Sequence, residues 1–280
     1  MDCSERLDLR ILKGANVSDG EDSFLVSFNG AAATLWLNRP EKQNAMTFEM
    51  WQQLPAVLDK ILESEPRVLF VRGTGAHFCA GADIATIGKG LGDAGVPHGY
   101  RATNEKAEEA LAAYPRPTIA VIEGNCIGGG CQIAVACDLR LATPSARFGI
   151  TPAKLGITYP ANSILRTVAL LGPSATKRLL FSAEFVEADE AFRLGLSDYL
   201  VEPDELENTL EQLAETIGSR SLLSQLGAKA IINASSHGEQ ALRDVIDYWE
   251  HAARSSSDLS EGLAAFSERR QPTFEWKPEN

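Results

Sequence analysis

Gly124-Asn125-Cys126-Ile127-Gly128-Gly129-Gly130-Cys131-Gln132 decides how this chain is read, because three adjacent glycines stand there between two apolar runs. The run before it, Thr118–Ile122, is short and continuous, as in a strand buried on both faces. The run after it, Ile133-Ala134-Val135-Ala136, reads as a helix. Glycines at a strand-to-helix junction let a ligand approach the main chain, and the helix N-terminus adds positive potential. The same triplet also suits a tight turn packed against a neighbouring helix, and the residues alone leave both readings open. It is not a nucleotide loop: neither G-x-x-x-x-G-K-[ST] nor G-x-G-x-x-G occurs here, and no G-x-S-x-G marks a hydrolase serine.

Upstream lies a second glycine-rich passage, Gly73 to Ile84, which follows an apolar strand at 68–71. Within it, Ala80-Gly81-Ala82-Asp83-Ile84 reads as small residues packed at a helix start with Asp83 as cap. Residues 24–28 and 33–37 form a hairpin pattern around Asn29-Gly30. Thr47 caps a helix whose apolar face carries Phe48, Trp51, Leu54, Val57, Leu58, Ile61 and Leu62; Pro55 inside that pattern either weakens the helix assignment or implies a kink. Residues 88–99 hold five glycines and read as mobile; 105–114 read as helix and Leu139–Ala142 as strand. From 162 to about 270 the pattern is mainly helical. The expected organisation is a loose arm over 1–20, an α/β body over 21–200 and a helical region over 201–280.

The 280 residues suffice for one large domain or two small ones, and 44% hydrophobic with 23% charged residues is ordinary for a globular protein. Thirty-eight acidic against 26 basic residues give a net charge of −12, which argues against nucleic acid and anionic membrane as partners. No apolar run reaches the roughly 18 residues of a membrane span, and the start lacks the pattern of a signal peptide. The five cysteines, odd in number and without paired spacing, read as free thiols, so a reducing cytoplasm is the expected location. His77, His98, His237 and His251 show no ligand spacing, so no metal is expected.

Taken in order, the motifs resemble the enoyl-CoA hydratase/isomerase family, the crotonases, from residue 24 to 274. They are Leu37-Asn38-Arg39-Pro40 with Asn44-Ala45, Phe78 through Ile84, Gly124 through Cys131, and Ala142 through Phe148-Gly149. Leu155-Gly156, Ala188-Asp189-Glu190-Ala191 with Gly195-Leu196, Glu261-Gly262 with Ala265-Phe266, and Arg269-Arg270-Gln271-Pro272 follow. The resemblance implies an α/β fold with a crotonase-like spiral core of β-β-α turns and a helical C-terminal trimerisation region. It implies a homotrimer or a dimer of trimers, an acyl-CoA substrate, and no cofactor beyond the coenzyme A of that substrate. By the family's motif, the amides of Ala82 and Gly129 form an oxyanion hole. Coenzyme contacts fall on Lys42, Asn44, Ala45, Ala80, Asp83 and Ile84, and Arg269 or Arg270 approaches its phosphates.

Two positions depart from the family's hydratases, which carry G-G-G-C-E and F-G-x-P-E. Here Gln132 holds the first glutamate position and Pro152 the second. A glutamine exchanges no proton usefully near neutral pH and proline offers no side-chain chemistry, while each positioned acid or base is worth roughly 10²–10⁴ in rate. Poor hydration is therefore expected, with decarboxylase-like or isomerase-like chemistry on a stabilised enolate in its place. Thr151-Pro152 with Leu155-Gly156-Ile157-Thr158-Tyr159 is similar to the T-P-x-x-L-G-x-x-Y stretch of methylmalonyl-CoA-decarboxylating members, and that match sets Tyr159 against the acyl group. Those members keep glutamate at the Gln132 position and histidine at the Ala82 position. The residues alone also read as a buried ring with a satisfied hydroxyl at Tyr159 and a structural hydrogen-bonder on the first helical turn at Gln132. Glu123 reads as an acceptor for loop amides or a lone base; Tyr100, Glu105 and Glu108 are further candidates for a replacement acid. The alternative is a catalytically silent acyl-CoA binder.

Overall fold

A computed structural model describes residues 23–84, 99–235 and 238–278. The arm expected over 1–20 and all but the last residue of the 88–99 stretch lie outside the described residues.

The hairpin forms as its alternating pattern requires: β1 (Phe24–Asn29) pairs antiparallel with β2 (Ala32–Leu37) across Gly30, whose positive φ permits the tight turn. The six-stranded sheet then runs β1-β2-β3-β4-β6-β9, parallel from β2 onward, through β3 (Val68–Gly73), β4 (Thr118–Ile122), β6 (Leu139–Ala142) and β9 (Tyr199–Leu200). Period-two alternation explains why β3 is buried throughout. Leu69 and Val71 join a core with Met50, Trp51, Leu54, Leu58 and Ile61 of α1 (Phe48–Leu62), whereas Val68 and Phe70 face the opposite layer.

A second sheet, β5-β7-β8, contains β5 (Asn125–Ile127), β7 (Arg147–Gly149) and β8 (Phe185–Glu187). The chain passes from a strand of the large sheet to one of the small sheet and then to a helix, first through β4, β5 and α3 (Gly129–Ala136). It repeats the step through β6, β7 and α4 (Ala161–Ser182), which breaks at Gly172 and Pro173. This is the spiral of β-β-α turns that the resemblance implied. Before α3 comes α2 (Tyr100–Ala112), which starts five residues earlier than its pattern suggested.

The stretch after residue 150 is not helical alone. Between α4 and the C-terminal helices lie β8, α5 (Ala188–Leu194) and β9. Strand β9 has only two residues; it docks because Asp198 Oδ2 accepts from the Arg140 amide at 2.7 Å and from its guanidinium at 2.6 Å. Four helices follow: α6 (Leu206–Gly218), α7 (Leu222–Ala234), α8 (Glu239–Ser255) and α9 (Asp258–Glu268). Leu206, Leu210 and Ala214 of α6 cover the Val68 and Phe70 side of the sheet, so the packing crosses the boundary expected at 200. Pro55 sits inside a continuous α1, where burial of Met50, Trp51, Leu54, Leu58 and Ile61 outweighs the lost hydrogen bond.

Candidate active site

The parallel strands β3 and β4 end on the same side, and the chain beyond each forms one wall of the site, as open α/β sheets commonly arrange. Asn44 organises the first wall. Its Oδ1 accepts from the Arg39 amide at 2.9 Å and its Nδ2 donates to the carbonyls of Thr74 and His77 at 2.8 and 2.6 Å. The residue is wholly buried. That side chain is therefore spent on holding the loop.

The segment from Phe78 to Asp83 is stitched on both sides by main-chain bonds. Ala80 N donates to Gln43 O at 2.9 Å, Met46 N to Gly81 O at 2.7 Å and Asp83 N to Met46 O at 2.9 Å. On the other side Cys79 N donates to Asn125 O at 2.8 Å and Ile127 N to Cys79 O at 2.9 Å. Ala82 N falls between the Met46 bonds, and Gly129 N opens α3. Neither amide has a protein acceptor among the described residues. The walls approach because both carry glycine: a Cβ on Gly81 would lie 3.3 Å from Gly129 N, and a Cβ on Gly129 would lie 3.4 Å from Ala82 N. With standard backbone dimensions the two nitrogens are at most about 6 Å apart. One oxygen can accept ordinary hydrogen bonds from two nitrogens within about that distance. The crossing depends on backbone that L side chains rarely adopt, φ +104° at Gly81 and φ +53° at Gly128.

Tyr159 is buried, and its hydroxyl donates to Gly128 O at 2.9 Å. Burial pushes the phenol well above its usual range, so it keeps that proton at neutral pH. The bond fits the reading of Tyr159 as a buried ring with a satisfied hydroxyl. The carbonyl it holds shares a peptide plane with Gly129 N–H, and Gln132 N donates to the same oxygen at 3.0 Å.

Gln132 is also engaged. It exchanges two hydrogen bonds with Asn104, 2.7 Å from Nε2 to Oδ1 and 3.1 Å from Nδ2 to Oε1, and its Nε2 donates to Glu108 Oε2 at 2.7 Å. Glu108 is 1% exposed and accepts further from Ser163 Oγ at 2.7 Å and from Arg166. Burial raises its pKa, and Ser163, Arg166 and Gln132 pull it back. Pro152 begins a short turn, Pro152–Leu155, and supplies no polar group.

The stretches with Lys42, Asn44 and Ala45 and with Ala80, Asp83 and Ile84 lie side by side through the bonds above. Lys42 and Ile84 are exposed, Ala45 O accepts from Arg39 Nη1 at 2.6 Å, and Asp83 pairs with Arg39 at 3.0 Å. His77 is a packing residue, its Nδ1 accepting from the Asn125 amide at 3.2 Å. Glu123 pairs with Arg72 at 3.1 Å rather than with loop amides. Arg270 is held by Glu261 and Glu268, both at 2.6 Å. Cys79, Cys126, Cys131 and Cys137 are buried free thiols, and no group of side chains among the described residues suits a metal. No helix among them is long and apolar enough to cross a membrane. The Asn104 contact and the place of Trp51 over Gly129 were not legible from sequence, since both come from helix packing.

Known proteins resemble this chain along most of its length. The model of the enoyl-CoA hydratase/isomerase family matches residues 27–277. A short-chain-enoyl-CoA hydratase of Clostridium acetobutylicum is 34% identical over 89% of this chain and 96% of its own length. A crotonyl-CoA hydratase of Syntrophomonas wolfei is 33% identical over 86% and 94%. A crystal structure of an enoyl-CoA hydratase/isomerase family protein from Hyphomonas neptunium superimposes with a TM-score of 0.84 at 32% identity, over 91% of this chain and 98% of that one. This chain belongs to the enoyl-CoA hydratase/isomerase family.

Proposed function

We propose that the protein binds a coenzyme A thioester with its carbonyl oxygen between Ala82 N–H and Gly129 N–H, and that it generates an enolate by decarboxylation rather than adding water. The observation that carries this reading is the approach of two amides without acceptors on the crossing loops. Donors fixed beforehand stabilise developing oxyanion charge with no reorganisation. The coenzyme runs along the Lys42, Asn44, Ala45 and Ala80, Asp83, Ile84 stretches, main chain first.

The reaction type follows from the carboxylates. Gln132 and Pro152 replace the hydratase glutamates, and Glu108 is buried behind Gln132 with three partners. Loss of carbon dioxide from a malonyl-type thioester needs no base: the C–C bond breaks, its electron pair passes onto the thioester carbonyl, and the enolate then takes a proton from water at C2, leaving hydroxide that the solvent neutralises. Tyr159 and Gln132 N act as positioning groups, because two hydrogen bonds to Gly128 O polarise the peptide whose N–H faces the oxyanion. Double-bond migration is the second reading. The raised pKa of Glu108 favours it, since a carboxyl poised above its usual range can carry a proton. Phe266, Leu259 and Leu263 are exposed on α9, which supports a homotrimer or dimer of trimers, and the buried thiols suit a reducing cytoplasm.

The test is turnover of malonyl-, methylmalonyl-, 3-enoyl- and crotonyl-CoA by the purified protein. Carbon dioxide release with the first two, and crotonyl-CoA hydration several orders below ordinary hydratase rates, is the expected result. Brisk hydration overturns the reading; tight binding with no turnover of any substrate assigns a silent acyl-CoA binder instead.

A further inference from the structure

Three arginines gather at the end of the sheet away from the crossing loops, without carboxylates of their own. Arg67 immediately precedes β3, whose six residues span about 20 Å before the chain enters the passage leading to Ala82. A cavity of about 220 Å³ opens there, lined by Arg67, by Ser219 and Arg220 of the turn after α6, and by Pro272, Thr273 and Phe274 near the C-terminus. Arg67 Nη2 donates to Arg220 O at 2.6 Å, which ties the first two segments together. Arg116, 5% exposed, bonds the residue before Arg67, its Nε donating to Pro66 O at 3.2 Å. None of the three arginines forms an ion pair among the described residues. The carboxylates whose charge reaches them are engaged elsewhere: Asp258 accepts from Ser221 Oγ at 2.6 Å, and Glu65 pairs with Lys277 at 3.1 Å. Burial, and then the Arg116 charge, pull the Arg67 pKa down against the opposing field of Asp258. A bound anion offsets both effects. The carbonyls ending α6, which would repel an anion, are already taken: Thr216 O accepts from Ser219 Oγ at 2.9 Å and Ile217 O from Gln225 Nε2 at 2.8 Å.

We propose that this cavity binds a phosphate group between the Arg67 and Arg220 guanidiniums, with the Thr273 hydroxyl as a further donor. Two planar forks arriving from separate segments, with a hydroxyl beside them, serve three oxygens of a tetrahedral group, one more than a carboxylate presents. The volume falls below the roughly 300 Å³ at which pockets begin to enclose drug-sized ligands. The occupant is therefore a free phosphate, or the phosphoryl end of a nucleotide whose remainder stays in solvent. The site lies across the sheet from the oxyanion donors and does not depend on the thioester reading.

The experiment titrates inorganic phosphate and adenosine monophosphate into the full chain by calorimetry, at an ionic strength held constant with chloride, with and without excess butyryl-CoA. The wild type is expected to bind phosphate saturably, although a net charge of −12 disfavours general attraction of anions. Arg220→Gln and Arg67→Gln should each weaken that binding about 10-fold or more. Arg220 is exposed, so its variant keeps the fold even where the Arg67 variant loses it. Arg193→Gln, which removes an exposed arginine of α5, should change the affinity less than about 2-fold. Adenosine monophosphate binding at least ~10-fold more tightly than phosphate identifies a nucleotide's phosphoryl end, and equal affinities identify the free ion. No saturable binding overturns the proposal, as does an equal loss in Arg193→Gln. Displacement of phosphate by butyryl-CoA overturns it too, since the ion then occupies the coenzyme's path, and leaves acyl-CoA binding standing.

Discussion

Replacing Gln132 by glutamate turns the interior network against itself. Nε2 of Gln132 donates to Glu108 Oε2 and to Asn104 Oδ1, both at 2.7 Å. An ionised carboxylate in its place faces two acceptors, and the repulsion between unit charges about 3 Å apart is about 5 kcal/mol at an effective dielectric of 20. The pair avoids this by keeping a proton, which raises the pKa of the new carboxyl above the unfolded value of about 4.3. Below that pH both folded and unfolded states are protonated, and the variant loses only one hydrogen bond, about 1 kcal/mol. Above it the unfolded state ionises first, and the cost grows by about 1.4 kcal/mol per pH unit until the folded pair ionises too. The expected destabilisation is therefore about 1 kcal/mol at pH 4.5 and about 3–5 kcal/mol at pH 7.5. Urea denaturation of both proteins at pH 4.5, 6 and 7.5 reads it as a difference, which removes the wild type's own pH dependence. A penalty equal at all three pH values, or none at 7.5, refutes the reasoning.

Gly129→Ala places a methyl 3.2–3.4 Å from Trp51, Gly81 and Ala82 N, so it should fold with a loss of about 1–3 kcal/mol yet bind acyl-CoA at least tenfold more weakly by calorimetry. Gly130→Ala drives its Cβ to 2.3 Å from Cys79 O and should cost more than Gly129→Ala, read as the lower melting temperature of the pair. Asn44→Ala strips three main-chain partners from a buried site and should cost roughly 3–5 kcal/mol in the same denaturation assay, with each orphaned group contributing about 1–3. The Glu261 carboxylate, held down to about 2 first by Arg270 and then by the Thr273 amide, has a lowered folded pKa, so its contribution is present above the unfolded value and is lost as pH falls toward 2. The protection of the Thr273 amide in hydrogen exchange should fall across that window, and Glu261→Gln should lack the transition.

Elements carried by their own periodicity were legible before any coordinates: the β1–β2 hairpin, the Thr47-capped α1, and β3, β4 and β6. Strands β5, β7, β8 and β9 were not, because segments of two or three residues have no readable period and exist only where a partner strand waits. The weakening or kink read at Pro55 failed for a related reason, since local propensity is a weak prior against a helix face buried along its length. In the site, Ala82 and Gly129 were legible as members of an ordered motif set, and the replacements at Gln132 and Pro152 as departures from it. That Gln132 and Tyr159 hydrogen-bond structurally was one of the open readings, but the partners of these two and of Asn44 were hidden, because each takes them from segments far along the chain.

Sequence alone determined the family and which side chains stand at positions 132 and 152, since each is a matter of which residues exist at fixed spacing. Only the tertiary structure decided what the polar groups face. It gave the Tyr159 proton to Gly128 and tied Gln132 to Asn104 and Glu108. Burial is a property of packed helices and sheets, and it sets both the partner of a polar atom and the cost of leaving it alone.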